Sequence, residues 1–247
     1  MEAVEESADE AELRARDWFS ANKLLLNTNK TQEIWFALRS LNGRPNPDSV
    51  KFLGIRLDQK LKWDCHIEEV CGKLRSTVFL LRNLSECVSI KTLLTAYHAL
   101  FHSVMSYGIM AWGEAATSSR VFALQRKAVR IIAGLGYRDD CRGTFRKLEV
   151  LTFPSVFILS SLTHIKKNER NFLCHGDIHD HLTRGRSDLV AAHCRLTKSQ
   201  KRPEYIAIKL FNRLPMGIRQ LPLHKFKKTV KKHLANAAVY STEEYLN

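Results

Sequence analysis

The amino-acid sequence predicts an α+β fold, with one helix and a small β-hairpin in residues 1–60 and a mostly α-helical bundle after them. Two short strand-like runs lie near the N-terminus, separated by a segment rich in turn-forming residues. From residue 67 onward, apolar residues recur at helical spacing instead. Hydrophobic residues make up 45% of the chain and charged residues 26%, which is typical of a globular protein.

The N-terminal helix is predicted over residues 5–21. Ala8, Ala11, Ala15 and Trp18 fall on one side of it, and charged residues occupy the other.

The predicted hairpin has strands at Glu33–Leu38 and Val50–Leu57. The segment Asn42–Asp48 between them contains Gly43, Pro45 and Pro47, which favour turns. We therefore expect two strands joined by an extended loop.

The helical part is defined by apolar residues at spacings of three and four. Pro154 and Pro203 open two of its helices, and residues 171–200 are expected to form an irregular loop. These residues predict amphipathic helices that share one core. In chain order they are Ile67, Val70, Cys71, Leu74, Val78 and Leu81; Ile90, Leu93, Leu94, Tyr97, Leu100, Phe101, Val104 and Met105; Val121, Leu124, Ala128, Ile131 and Ile132; Ile158, Leu162 and Ile165; Ile206, Leu210 and Leu214; Leu223, Phe226, Val230 and Leu234.

The charge predicts a polyanionic partner. The chain has 39 Lys and Arg against 25 Asp and Glu, a net charge of +14, and nucleic acid is the usual partner of such a surface. Two helix faces concentrate the positive charge, and loop residues could extend them; a merely solvated face is the alternative. The residues of the two faces are Arg126, Lys127 and Arg130, and Lys225, Lys228, Lys231 and Lys232; the loop residues are Arg184, Arg186, Lys201 and Arg202. A row of lysines does not make the paired hydrogen bonds that identify a base. We therefore expect contacts to the nucleic-acid backbone with little base specificity.

The six cysteines include no CxxC pair, and the sequence shows neither a signal peptide nor an apolar run of membrane-spanning length. We therefore expect reduced thiols in an intracellular protein, in nucleus or cytoplasm, with no membrane partner. Lys225–Lys232 is similar to a nuclear import patch.

Several segments together resemble the reverse transcriptases of non-LTR (LINE-type, jockey-like) retrotransposons. Residues 22–31, ending at Phe36, resemble the segment after the catalytic aspartates of that family. Residues 50–58, followed by 61–63 and 66–67, resemble its primer grip. Further segments occur in the family's order: Tyr107–Gly113, Leu124–Ala128, Asn212–Pro215 and Tyr240–Leu246.

The resemblance implies the end of a polymerase palm in residues 1–60, a helical thumb in 61–170, and a loop with a basic helical extension in 171–247. It places Lys30 near the incoming triphosphate. It also implies that Phe52, Leu53 and Gly54 press on the primer strand, so the expected partner is an RNA template/DNA primer hybrid. The family's catalytic aspartates precede this region, so the chain is expected to be inactive alone, with Mg²⁺ needed only in the intact polymerase. The alternative is a non-enzymatic basic helical module that binds nucleic acid.

Three groups of residues suggest other kinds of site. Tyr137-Arg138-Asp139-Asp140 has the family's metal-binding pattern, but its flanks lack strand residues, so we expect Asp139 or Asp140 to cap a helix. Residues 174–181, with His193 and Cys194, contain candidate zinc ligands at a spacing that matches no zinc finger. His98 and His102 could supply two metal ligands, but a tetrahedral site would need two more. We therefore expect neither a catalytic nor a metal site in this chain.

Overall fold

The computed structural model of the chain describes residues 2–36, 46–180, 185–192, 194–195 and 202–247. The strands are β1 (Ser49–Phe52) and β2 (Ile55–Asp58). The helices up to residue 132 are α1 (Glu2–Ala21), α2 (Asp64–Ser85), α3 (Ile90–Ala96), α4 (Ser103–Ser106), α5 (Ile109–Trp112) and α6 (Ser119–Ile132). Those after it are α7 (Arg142–Lys147), α8 (Phe153–Lys167), α9 (His175–Ile178), α10 (Pro203–Asn212), α11 (Met216–Arg219), α12 (Leu223–Ala237) and α13 (Thr242–Leu246). The predicted α+β class is confirmed.

The hairpin differs from the predicted one. Val50–Leu57 is not a single strand: β1 and β2 pair antiparallel, with Phe52 opposite Ile55, so the whole hairpin lies within residues 49–58. The prediction of a strand at Glu33–Leu38 is wrong over residues 33–36, and residues 37 and 38 lie outside the described ranges. The side chain of Asn46 explains the difference, since it accepts from the amide and donates to the carbonyl of Trp35, each at 3.0 Å. These are the main-chain groups that a neighbouring strand would otherwise bind. Of the predicted loop Asn42–Asp48, residues 42–45 lie outside the described ranges, and residues 46–48 lead into β1.

The core of the helical part agrees with the predicted spacing. In α2 the predicted residues are all buried: Ile67, Val70, Cys71, Leu74, Val78 and Leu81. The core cluster runs from Ile67 to Val239 and includes side chains of the last long helix, α12. Helix α8 packs against α10 and α12, so residues on both sides of the predicted boundary at 170 share this core.

The second predicted helix is interrupted. Between α3 and α4, residues Tyr97–His102 form a π-helical segment, which takes an extra residue into the turn. Tyr97 and Phe101 remain buried there, whereas Leu100, predicted to face the core, is 42% exposed.

Helix α6 is rotated relative to the predicted face. Phe122, Gln125 and Val129 are buried together with Val121, whereas Leu124 is only partly buried. Gln125 is satisfied inside the core: its amide donates to the Tyr97 hydroxyl and the Leu151 carbonyl, both at 2.8 Å, and accepts from the Phe153 amide at 2.6 Å.

Candidate nucleic-acid interface

The tip of the hairpin is a two-residue turn at Leu53 and Gly54, with φ of 47° and 82°. Positive φ at both positions gives the mirror-image turn that suits a tight hairpin, and leucine adopts it at a cost of about 1–2 kcal/mol. The side chains of Phe52 and Leu53 are 61% and 73% exposed. The predicted primer-grip residues therefore lie together on a protruding turn.

The helical part holds this turn in place. The Tyr107 hydroxyl donates to the Leu53 carbonyl at 2.6 Å. Gly108 has φ of 60°, and a Cβ there would lie 2.5 Å from Cδ1 of Ile55. The close approach of hairpin and helices thus depends on this glycine.

The base of the hairpin is fixed by Asp58. Its carboxylate accepts from the amides of Lys60 and Lys62, both at 3.0 Å, and of Trp63 at 2.7 Å. These bonds hold the connection that leads into α2.

Two adjacent glutamates on α2, Glu68 and Glu69, form ion pairs with basic residues of the hairpin, α2 and α6. Glu69 binds Lys51 and Arg56 of the hairpin and Lys73 of α2. Hydrogen bonds from Lys73 and then Lys51 lower the pKa of Glu69 to about 2.

Glu68 extends the same arrangement toward α6, because it binds both Arg75 and Arg120. Hydrogen bonds, that of Arg75 first and then that of Arg120, lower the pKa of Glu68. The hairpin and α6 are therefore linked through one edge of α2.

A cationic groove lies between α2 and α6, with a volume of about 470 Å³. No carboxylate of the described residues lines it, and its basic residues are Arg75, Arg120, Arg126, Lys127 and Arg130. Arg126 lies with its guanidinium 5.1 Å from the ring centroid of Phe122, and its buried Nε has no hydrogen-bond partner in the part of the chain that the structure describes. The Nε of Arg130 donates to the Asp139 carbonyl at 2.8 Å. The three basic residues predicted on α6, Arg126, Lys127 and Arg130, thus lie on one concave surface. Arg75 and Arg120 line the same groove.

The predicted lysines of α12 lie elsewhere. Lys225, Lys228, Lys231 and Lys232 are all exposed, and no ion pair with a described residue neutralises them. Lys231 and Lys227 line a second groove against α8 and the π-helical segment. Ser106 also lines this groove, and the next residue, Tyr107, binds the hairpin tip.

Two curated proteins are similar to this chain. Over 194 residues, 72% of the chain, it is 27% identical to the probable RNA-directed DNA polymerase from transposon X-element of Drosophila melanogaster. Over 149 residues, 55% of the chain, it is 28% identical to the RNA-directed DNA polymerase from mobile element jockey of the same organism. The chain resembles a region of jockey-like non-LTR reverse transcriptases. It covers 20% and 16% of those two proteins. No protein-family model and no solved structure matches it.

Within this reverse-transcriptase-like region, Lys30 ends a 3₁₀ turn, Thr28–Lys30, and is exposed. Its side chain makes no ion pair with any residue that the structure describes, and its predicted place near a triphosphate stays a prediction. Among the loop residues, Arg186 and Arg202 are exposed, whereas Arg184 and Lys201 lie outside the described ranges.

The Tyr137–Asp140 tetrad lies in a turn after α6 and not in a β-hairpin. Asp139 accepts from the Gly136 amide at 2.8 Å, and Asp140 accepts from the amide of Arg142, the first residue of α7, at 3.2 Å. Asp140 therefore contacts the first amide of α7, but the N-cap position is occupied by Cys141, so neither aspartate is the capping residue that the sequence predicted.

The described residues contain no group of three metal-binding side chains, while His181 and His193 of the zinc candidate lie outside them. All six cysteines are described, and none forms a disulfide. No helix in the described ranges combines the length and apolar character needed to cross a membrane.

Proposed function

We propose that this chain holds an RNA template/DNA primer hybrid within a retrotransposon RNA-directed DNA polymerase whose catalytic carboxylates lie outside residues 1–247. The observation that carries this proposal is the protruding hairpin tip with exposed Phe52 and Leu53, tied to a helical body that has a cationic groove along α2. The similarity to two RNA-directed DNA polymerases supports it.

The hairpin tip suits contact with a sugar–phosphate chain. Gly54 has no Cβ, so the main chain can approach a strand closely. Phe52 and Leu53 offer exposed apolar surface to the sugars, and Tyr107 limits the movement of the turn. The tip would therefore position the primer end.

The groove between α2 and α6 would follow the hybrid backbone. Arg126, Lys127 and Arg130 offer charge to phosphates, whereas Arg75 and Arg120 are already paired with Glu68 beside the groove. Such contacts are independent of sequence, which suits a polymerase that copies any template.

The N-terminal residues support the assignment of residues 1–60 to part of a larger palm. Leu13, Trp18, Leu25 and Phe36 are 62%, 58%, 100% and 54% exposed. Apolar side chains this exposed favour packing against polymerase residues outside this chain. Within the intact enzyme, Mg²⁺ would be held by those other residues.

The test is the salt dependence of hybrid binding. A plot of log affinity against log salt concentration should have a slope of about −0.9 for each phosphate contact. Replacing Lys127 and Arg130 by Ala should flatten this slope by about 1.8. The control variant Arg14→Ala/Arg16→Ala loses the same charge from exposed positions on α1 and should keep the wild-type slope. A flat wild-type line would overturn the proposal.

A second candidate is the non-enzymatic nucleic-acid-binding module, and the position of the core favours it. The core cluster begins at Ile67, so the helical part has a core without the hairpin. The variant Phe52→Glu/Leu53→Glu separates the candidates, because these exposed residues lie outside the core. Hybrid affinity should fall at least about tenfold if the tip grips the primer. A much smaller fall, caused only by two added negative charges remote from the bound strand, would favour the module.

A further inference from the structure

The second groove is lined by apolar and imidazole side chains as well as lysines, whereas the sequence predicted only a basic face on α12. It has a volume of about 720 Å³ and is bounded by α8, α12 and the π-helical segment. Apolar side chains form part of its lining: Met110, Leu148, Leu151, Val156 and Leu159. Basic and imidazole side chains form another part: Lys167, Lys227, Lys231, His98, His102 and His164. Glu149 is the one acid among the described lining residues.

We propose that this groove binds an unpaired nucleic-acid strand, with bases against the apolar lining and phosphates beside the lysines. This rests on the proposed function, since it assigns a second strand-binding site to the same nucleic-acid-binding chain.

The mixture of apolar and cationic surface selects a single strand over a duplex. A duplex stacks its bases inside and offers mainly its backbone to a protein, so an apolar lining would gain little from it. An unpaired strand exposes the faces of its bases, and single-strand sites combine cationic grooves with stacking surfaces. His98 is an exposed residue whose imidazole is partly buried at this groove, and the open part of the ring can stack on a base. A volume of about 720 Å³ lies within the range of small-ligand sites.

The π-helical segment gives an independent indication of a ligand. Such segments occur frequently at functional sites. His98 and His102 lie on this one, with ring centroids 5.5 Å apart. Nδ1 of His102 is buried and has no hydrogen-bond partner among the described residues. The imidazole of His102 therefore keeps a hydrogen-bonding capacity that the described residues do not use.

The position of the groove is suited to a strand that leaves the hairpin. Ser106 lines the groove, and Tyr107 binds the main chain of Leu53 at the tip. Neighbouring residues of one segment therefore contribute to the groove and to the contact with the tip.

The histidines make binding depend on pH. Burial, and then Lys231, lower the pKa of His98. Burial lowers the pKa of His102, followed by His98 and Lys231. The other charged or titratable groups of the lining are Lys227 on α12, His164 and Lys167 on α8, and Glu149 before α8. A bound phosphate favours the protonated imidazoles, so affinity should increase as the pH falls from 7.5 to 5.5.

The experiment compares a single-stranded oligonucleotide with an RNA/DNA hybrid on the full chain. Lys227→Ala/Lys231→Ala removes two lining lysines, and the matched control Lys225→Ala/Lys232→Ala removes two exposed lysines of the same helix that lie outside the groove. The lining variant should flatten the single-strand salt slope by about 1.4, which corresponds to two phosphate contacts, and the control should flatten it by less than half of that. A second variant, Ser160→Glu, places a carboxylate in the groove and should weaken single-strand binding without removing a lysine.

Three competitors identify the ligand. An abasic strand of equal charge should bind about tenfold more weakly, because it lacks the bases. Inorganic phosphate should compete only at far higher concentration, and an acidic peptide should not displace the strand selectively. Equal effects of the two lysine pairs, equal affinity for the abasic strand, or selective displacement by the peptide would overturn the inference. If the wild-type chain binds the hybrid while the single-strand results fail, only this inference is lost; if it binds neither, the proposed function is lost as well.

Discussion

The hydroxyl of Tyr107 lies 2.6 Å from the main-chain carbonyl of Leu53 and donates a hydrogen bond to it across 54 positions of the chain. This bond joins the turn between β1 and β2 to the segment between α4 and α5. It spans the boundary between the predicted palm and thumb regions, so the position of the hairpin tip depends on the helical part.

Replacing Tyr107 by Phe removes this hydrogen bond and keeps the ring. We expect the free energy of unfolding to fall by about 1 kcal/mol, and hybrid affinity to fall because the tip is less well positioned. Chemical denaturation and fluorescence anisotropy measure the two effects. Tyr205→Phe is the control, since the Tyr205 hydroxyl makes no hydrogen bond to a described residue. Unchanged hybrid affinity in Tyr107→Phe would argue against a positioning role for this bond.

Replacing Gly108 by Ala tests the contact between hairpin and helices. The new Cβ would meet Cδ1 of Ile55 at 2.5 Å, in addition to the strain of an alanine at φ of 60°. Gly134→Ala is a matched control because its φ is 66° and its added Cβ would meet nothing within 4 Å. Thermal and denaturant unfolding should show an additional loss of about 1–2 kcal/mol for Gly108→Ala over Gly134→Ala. Ile55→Val removes Cδ1 and should recover part of that difference; equal losses for the two glycine variants would contradict the contact.

Replacing Gln125 by Leu tests the polar group in the core. The change leaves the buried Phe153 amide and Leu151 carbonyl without their side-chain partner. We expect a loss of about 3 kcal/mol in the free energy of unfolding, measured by denaturant titration. Gln220→Leu at an exposed position should change stability by no more than about 0.5 kcal/mol. A loss that small for Gln125→Leu would show that the network contributes little.

The stability of the fold should decrease as the pH falls through 6.5. Burial lowers the pKa of His66, and also those of His98 and His102. Protonation therefore favours the unfolded state, in which the histidines have their ordinary pKa near 6.5. Their contribution is fully present above that pH and is lost as the pH falls toward their lowered values in the folded state.

Unfolding measured at pH 7.5 and 5.5 checks this expectation. Glu69, with its pKa near 2, loses its stabilising contribution only below about pH 4.5 and does not affect the comparison. His66→Gln should have a smaller pH dependence than the wild type, because one of the three groups no longer titrates. Stability that is constant or rises between pH 7.5 and 5.5 would contradict the role of the histidines.

Residue periodicity predicted the α+β class and the helical core well. The buried face of α2 matches the prediction residue by residue, since one side of a long helix packs on the core. The predicted face of α6 was rotated because apolar spacing alone cannot show that the buried Gln125 would be satisfied by Tyr97, Leu151 and Phe153.

Contacts between distant segments were not predictable from periodicity. The side chain of Asn46 replaces a strand neighbour of Trp35, so the pattern in residues 33–36 resembled a strand. The second groove joins side chains from elements that are distant in the sequence, and no local spacing relates Lys227 to His98 or His102. The pair His98 and His102 was the signal that could have directed attention to this part of the chain.

The π-helical segment Tyr97–His102 takes one extra residue into a single turn. Because that turn absorbs the extra residue, the residues before and after it keep nearly the same relative direction. Deleting Ala99 would leave an α turn there and would keep Tyr107 on the side of the helix that faces the carbonyl of Leu53. The extra residue therefore changes which side chains this turn presents, those of His98 and His102 among them, without moving the contact at the hairpin tip.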